Sequence, residues 1–435
     1  MSLPPHSALP LPARPSLERY RKLAKDLLKV SADDNALRAW VENWVTSVVR
    51  LSEIELTHQQ PVSLREWADG VTSFAQGTLV GERRSLTHAQ FVLARAHGFP
   101  SWPEFAAHLR ALELAATPQA RFEAAVDAIV RGDAATLRQL LREDPALVHT
   151  RLIHARSTRE HHATLLHYTA ANGVEGYRQK TPSNIVEIAE ILLEAGADVD
   201  AEADLYGGGS TTLMLAATSG HPERAGVQNA LTALLLDYGA KIDPDPGINH
   251  NGKSTIAACL ANGRYNVAQF LAERGAHLGF AEAAALGRID LIEAAFQSSQ
   301  VVAPTTQEIH RAFLLACQYG QLEAATVLLA KGARLTAATR DGQTPLHLAA
   351  MSTDASLVRS LLRYNPPLEA QNSYGGTPLG QALWSAAHSA HPEAYLDVLE
   401  VLVDAGAQLP SNCEPISPAI DAWLAQRGCV QKSAT

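Results

Sequence analysis

Asp341-Gly342-Gln343-Thr344-Pro345-Leu346-His347-Leu348-Ala349-Ala350 is the stretch that decides the fold. Thr344 offers a hydroxyl to cap a short helix, and Pro345 falls in its first turn, where a missing N–H costs nothing. Leu346, Leu348, Ala349 and Ala350 supply a small, tight packing face. Gly342 permits the sharp turn that precedes the helix. A shorter version, Gly375-Gly376-Thr377-Pro378-Leu379, returns later, and Thr344 to Thr377 is 33 residues. A period of that size marks stacked supersecondary units rather than one closed core.

The motif and its period resemble the ankyrin repeat. The resemblance implies an all-α fold, an ankyrin-repeat solenoid of helix-turn-helix units with β-hairpin fingers, and a structural role for His347 bonded to nearby backbone. Each short first helix ends on a glycine nine residues after the Thr position, except in the last two repeats, which Thr-Pro-Leu itself places. The Thr-equivalent positions are then Glu123, Thr164, Thr211, Ser254, Leu278, Arg311, Thr344 and Thr377. The last three steps are 33 residues each and the earlier ones 41, 47, 43 and 24. Long steps mean insertions, and the short one a lost hairpin. Second helices stop on Gly196, Gly239, Gly275, Gly332 and Gly406, with Asn365 in the same place once, because a left-handed residue closes a helix.

The chain has 435 residues, and 46% of them are hydrophobic, which suits a folded protein throughout. Its net charge of -9 argues against nucleic acid or an anionic membrane as a general partner. Cys259 and Cys317 fall where repeats want small apolar residues, so buried free thiols and a cytoplasmic location are expected. No run of about 18 apolar residues occurs, so no spanning helix is expected. No basic segment followed by an apolar run opens the chain, so no signal peptide is expected.

Residues 1–15 hold five prolines and read as a disordered leader. Residues 16–115 read as a helical module, 120–410 as the repeat array, and 411–435 as a capping helix and tail. In the first helix Leu17, Tyr20, Leu23, Ala24, Leu27 and Leu28 share a face. The basic residues Arg19, Arg21, Lys22, Lys25 and Lys29 read as its solvated side. Further on, Thr87 with Gln90 and Ser101 with Glu104 have capping-box spacing. A helix-turn-helix there would read DNA, but Arg110 is the only Lys or Arg of the second helix. The Gly98-Phe99 and Ser101-Trp102 turn resembles a helical module that precedes ankyrin arrays in many bacterial proteins.

Gly247-Ile248-Asn249-His250-Asn251-Gly252-Lys253-Ser254 fits the phosphate-binding pattern G-x-x-x-x-G-K-[ST]. Such a loop needs a preceding buried strand and a long following helix. Pro244 and Pro246 precede it instead, and a repeat finger explains its Gly and Ser. Tyr206-Gly207-Gly208-Gly209-Ser210 reads as a loose hairpin tip. His161, His162 and His167 lack standard metal spacing and a Cys companion, so neither metal nor cofactor is expected.

The block His161–Gly226 resembles a bacterial ankyrin subfamily. Its Tyr177-Arg178-Gln179-Lys180 and His221-Pro222-Glu223-Arg224 are not asked for by the repeat. If they converge near the glycine-rich finger, His161, His162, Tyr177, Arg178, Lys180, Tyr206, Gly208, Ser210, His221 and Glu223 would line a pocket for an anionic small molecule, as a binding protein or an enzyme. The leading reading, implied by the ankyrin resemblance, is non-catalytic protein–protein binding through a concave face of fingers and short first helices. Matching the repeat places His250, Asn251, Tyr319, Arg340, Asp341, Met351, Tyr374 and Trp384 there. Aromatic residues and Arg bury much area with little entropy loss, so Tyr319, Arg340, Tyr374 and Trp384 suit hot spots.

Overall fold

Leu17, Tyr20, Ala24 and Leu27 recur at helical steps, and helix α1 (Leu17–Val30) buries all four. Its basic residues Arg19, Arg21, Lys22, Lys25 and Lys29 face water. The computed structural model describes residues 8–12, 15–52, 64–113, 117–151, 162–243, 254–297, 303–410 and 412–431. The chain forms two compact units, one through Leu271 and one from Ala272.

The first unit opens with α1, α2 (Asp34–Leu51), α3 (Leu64–Thr78), α4 (Leu86–Ala96) and α5 (Trp102–Glu113). Their shared core holds Tyr20, Trp44, Trp67, Phe99 and Phe105. His97 sits inside it. Tyr20 Oη lies 2.9 Å from His97 Nε2, and Leu9 O lies 3.0 Å from Nδ1. Leu9 N also donates to Ala96 O. The leader is therefore not loose along its described part: Leu9 is buried and tied to α4. Proline content pointed to disorder, but one leucine reaching a core outweighs it. The cap of α4 is Ser85, whose side chain accepts from His88 N, rather than Thr87.

Helical pairs follow. They are α6 (Pro118–Arg131) with α7 (Ala134–Glu143), α8 (Leu165–Tyr168) with α9 (Ile185–Glu194), α10 (Thr212–Thr218) and the short α11 (Gly220–Arg224) with α12 (Gln228–Asp237), and α13 (Thr255–Ala261) with α14 (Tyr265–Glu273). Thr164, Thr211 and Ser254 are N-caps, as the repeat register requires. Strands β1 (Glu202–Ala203) and β2 (Ser210–Thr211) pair antiparallel around the glycine-rich tip, Ala203 opposite Ser210. Tyr206, Gly207, Gly208 and Gly209 all have positive φ, so this tip is a hairpin turn.

The second unit pairs α15 (Phe280–Ala285) with α16 (Ile289–Gln297), α17 (Thr306–Gln318) with α18 (Leu322–Ala330), α19 (Pro345–Ala349) with α20 (Ala355–Leu362), and α21 (Pro378–Ala387) with α22 (Leu396–Asp404). Thr344 and Thr377 cap α19 and α21. Arg311, taken as a cap position, lies inside α17, because Thr305 and Glu308 form a capping box that starts the helix earlier. The stops behave alike: Gly196, Gly239, Gly275, Gly332 and Gly406 have φ near 90–100°, and Asn365 has φ 52°.

Helix α23 (Pro418–Gln426) follows, with Ile420 and Leu424 buried. Strands β3 (Asn412–Cys413) and β4 (Val430–Gln431) flank it in a parallel pair, and a Cys413–Cys429 disulfide ties the flanks across 16 residues. Cys259 and Cys317 are free and buried, and burial pushes the Cys259 thiol up to about 12 and the Cys317 thiol well up. Reducing the disulfide is expected to cost the second unit about 3 kcal/mol, because a loop of about 15 residues regains its freedom in the unfolded chain. Thiol titration of the denatured protein should count two thiols before reduction and four after. A melting curve unmoved by reductant would refute the stabilising role.

Candidate functional site

Each histidine of the repeat motif bridges two repeats. Thr344 N donates to His347 Nδ1 at 3.2 Å, so the ring proton sits on Nε2 and is donated to Gly376 O at 2.9 Å. His167 does the same, with Thr164 N on Nδ1 at 3.1 Å and Ser210 O at 3.2 Å from Nε2. Burial lowers the His347 pKa, with the Gly376 carbonyl opposing. Both rings are occupied by structural work. Among the described residues no three His, Cys, Asp or Glu side chains gather as a metal would need.

In the second unit the fingers leading into α19 and α21 are built from short-range bonds. Thr339 N donates to Gln343 O at 3.0 Å, and Gly342 N to Thr339 O. Asn372 Oδ1 accepts from Tyr374 N and Gly376 N at 3.0 and 2.9 Å. Ser373 N donates to Asp341 O at 2.8 Å, which joins one finger to the next. A Cβ on Gly342 would lie 3.3 Å from Asn372 Cα, so glycine lets the fingers approach. On this frame Arg340, Asp341 and Met351 are exposed. Tyr374 at the fingertip is 82% exposed and Trp384 on α21 is 57% exposed. Tyr319, at the end of α17, is half-buried. Trp384 stacks on His388 at 4.2 Å, and His388 Nδ1 lies 2.8 Å from Trp384 O. That partner was missed, although its four-residue spacing on a helix was the signal for it. His250 and Asn251 lie outside the described residues, as do His161 and Gly247–Lys253 of the phosphate-loop match.

The polar residues of the 161–226 block go to different places in the first unit. Tyr177 is buried in the core of α1–α5. Arg178 is buried against α6, where it pairs with Glu123, with Asp127 at 3.3 Å and with Glu175 at 3.6 Å. Its guanidinium also lies 5.4 Å from the Tyr177 ring centre and 6.0 Å from that of Tyr168. Burial opposes its charge, yet Glu123, Tyr177, Glu175 and Asp127 together hold its pKa well above the usual value. Burial pushes the Tyr168 phenol well up.

Lys180 is half-buried beyond this turn. Tyr206 points outward and donates to Asn172 Oδ1 at 2.7 Å. Ser210 is buried on Leu205 O, and Gly208 is part of the hairpin tip. His162 has φ 47° and meets Asp204 Oδ2 at 2.6 Å. His221 lies on α11 beside Arg224, and Glu223 pairs with Arg264. Of the residues expected to line one pocket, Tyr177, Arg178, Tyr206 and His221 thus have separate partners.

The ankyrin-repeat family (three copies) matches residues 179–281 and 310–413. A human relative, ankyrin repeat and SOCS box protein 16, is 27% identical over 278 residues, which cover 59% of this chain and 58% of that protein. The chain thus spans somewhat over half the length of that relative. The crystal structure of the human ASB11 ankyrin repeat domain matches with 20% identity and a TM-score of 0.31, over 66% of this chain and 99% of that one. Among the described residues no helix is long and apolar enough to cross a membrane.

Proposed function

From a chain that carries ankyrin repeats, we propose a non-catalytic scaffold or adaptor that holds a protein partner on the finger-and-first-helix face of its second unit. Ankyrin-repeat proteins generally mediate protein–protein interaction. One observation carries the choice of face: Tyr374 and Trp384, from one repeat, stand largely in water where repeat packing asks for neither. Met351 occupies the equivalent place to Trp384 one repeat earlier, 33 residues before it. Large side chains at such positions bury area on association without a core to lose. Arg340 and Asp341 on the neighbouring finger supply the polar rim.

Residues 16–115 act as the helical module that leads into the array of 120–410, and α23 as its terminal cover. The likeness of the 161–226 block points to a bacterial source, while the curated relative is human. Buried thiols at Cys259 and Cys317 suit the cytoplasm, and the Cys413–Cys429 disulfide suits an oxidising setting. The state of those cysteines in the source cells is the measurement that separates the two.

A partner captured from the source organism and identified by mass spectrometry provides the test. Tyr374→Ala and Trp384→Ala are each expected to cost more than about 1 kcal/mol of its binding and little stability. Binding that survives both changes, and is lost instead with changes on the first unit, would move the site.

A further inference from the structure

Gly220 is the first residue of α11, and its φ is not in the left-handed region, so the backbone there accepts any residue. A side chain there would have to move two neighbours. A Cβ on Gly220 would lie 2.9 Å from Arg264 Nη2 and 3.0 Å from Arg224 Nη1. Arg224 comes from the end of α11 and Arg264 from the turn before α14, one repeat on. Two guanidinium groups therefore stand side by side over a glycine that makes room for them.

Their charge is only partly answered. Glu223 pairs with Arg264, and it is the one carboxylate in contact with either guanidinium among the described residues. Arg264 Nε is buried with no hydrogen-bond partner among those residues. Arg224 Nη2 lies 3.3 Å from His221 Nδ1, which accepts from it. Burial, then Arg224 and Arg264, lower the His221 pKa, so the imidazole stays neutral at neutral pH. Like charges this close repel, and nothing in repeat packing requires the arrangement. Planar guanidinium forks converging from two directions are, however, the geometry that receives a tetrahedral oxyanion through paired charge-assisted bonds.

We propose that Arg224 and Arg264, with His221 beside them, form a binding site over Gly220 for a phosphate dianion, free or as a monoester. Two guanidinium forks offer more donors than the two oxygens of a carboxylate can use, and a phosphate has oxygens for them. Because its Nδ1 accepts from Arg224, the neutral His221 ring carries its proton on Nε2 and offers that N–H as a third donor. The site lies on the first unit and is independent of the partner face on the second.

The test follows the His221 ring resonance in the full chain during titration with inorganic phosphate and, separately, with phosphoserine, at neutral pH and constant ionic strength set by chloride. Saturable shifts are expected. Binding of inorganic phosphate alone identifies the free ion as the ligand, and equal or tighter binding of phosphoserine identifies a monoester. Arg224→Gln and Arg264→Gln should each weaken binding about tenfold or more. Gly220→Ala keeps every charge and suits a helix, yet its methyl displaces the guanidinium groups, so binding should fall as far. A linear shift that chloride reproduces, or binding undiminished in Arg224→Gln and Gly220→Ala, would overturn the proposal.

Discussion

Arg178→Ala is expected to lower the folding stability of this protein by about 3–5 kcal/mol. The Arg178 side chain is 6% exposed, and Glu123 and Glu175 beside it are 7% and 5% exposed. Two carboxylates at such depth face the guanidinium as a counter-charge. Its removal takes a buried counter-charge from both, which costs far more than losing a surface pair would. The lost contacts of the Arg178 guanidinium with the Tyr168 and Tyr177 rings add to the loss. Urea unfolding followed by circular dichroism reads the effect. Glu123→Gln in the Arg178→Ala background should recover part of the loss by removing one stranded charge. A loss below about 1 kcal/mol would mean that the cluster is wetter than its burial indicates. Whatever fraction stays folded should bind its protein partner normally, because the Tyr374 and Trp384 face belongs to the other unit.

Leu346→Ala is expected to cost about 2–5 kcal/mol. Leu346 is 1% exposed and shares an apolar cluster with Leu328, Leu348, Leu357, Leu361 and Leu379. Each repeat buries its apolar face only against its neighbours, so the damage should spread through the second unit rather than stay local. Hydrogen exchange should show α17, α19 and α21 losing protection together. An unchanged melting curve would show that Leu346 is not the core position its place in the motif makes it.

Short-range patterns were legible without coordinates because their causes lie within a few residues. The Thr344 cap, the Pro345 start, the glycine stops and the 33-residue step each act through local backbone geometry. The His347 and His167 bridges were legible for the same reason, since the cap and the ring are three residues apart. Boundaries slipped where a second local signal competed, as when Ser85 rather than Thr87 capped α4, Thr117 opened α6 ahead of Glu123 and Thr305 opened α17, and Gly279 rather than Leu278 precedes α15.

Polar side chains were another matter. Tyr177-Arg178-Gln179-Lys180 was recognised as foreign to the repeat, and so was His221-Pro222-Glu223-Arg224, but residue type does not say what a charge will meet. Arg178 meets Glu123 from 55 residues away and becomes interior. Glu223 meets Arg264 from 41 residues away and stays near the surface. Leu9 reaches His97 across 88 residues, and Cys413 finds Cys429 across a helix. The sequence by itself determined the repeat, its register and its caps, because these are set by local torsions and short hydrogen bonds. Only the tertiary structure decided which charges are buried, which are paired and which two arginines share the space over a glycine. Those outcomes depend on desolvation and on distances between residues that the chain order keeps far apart.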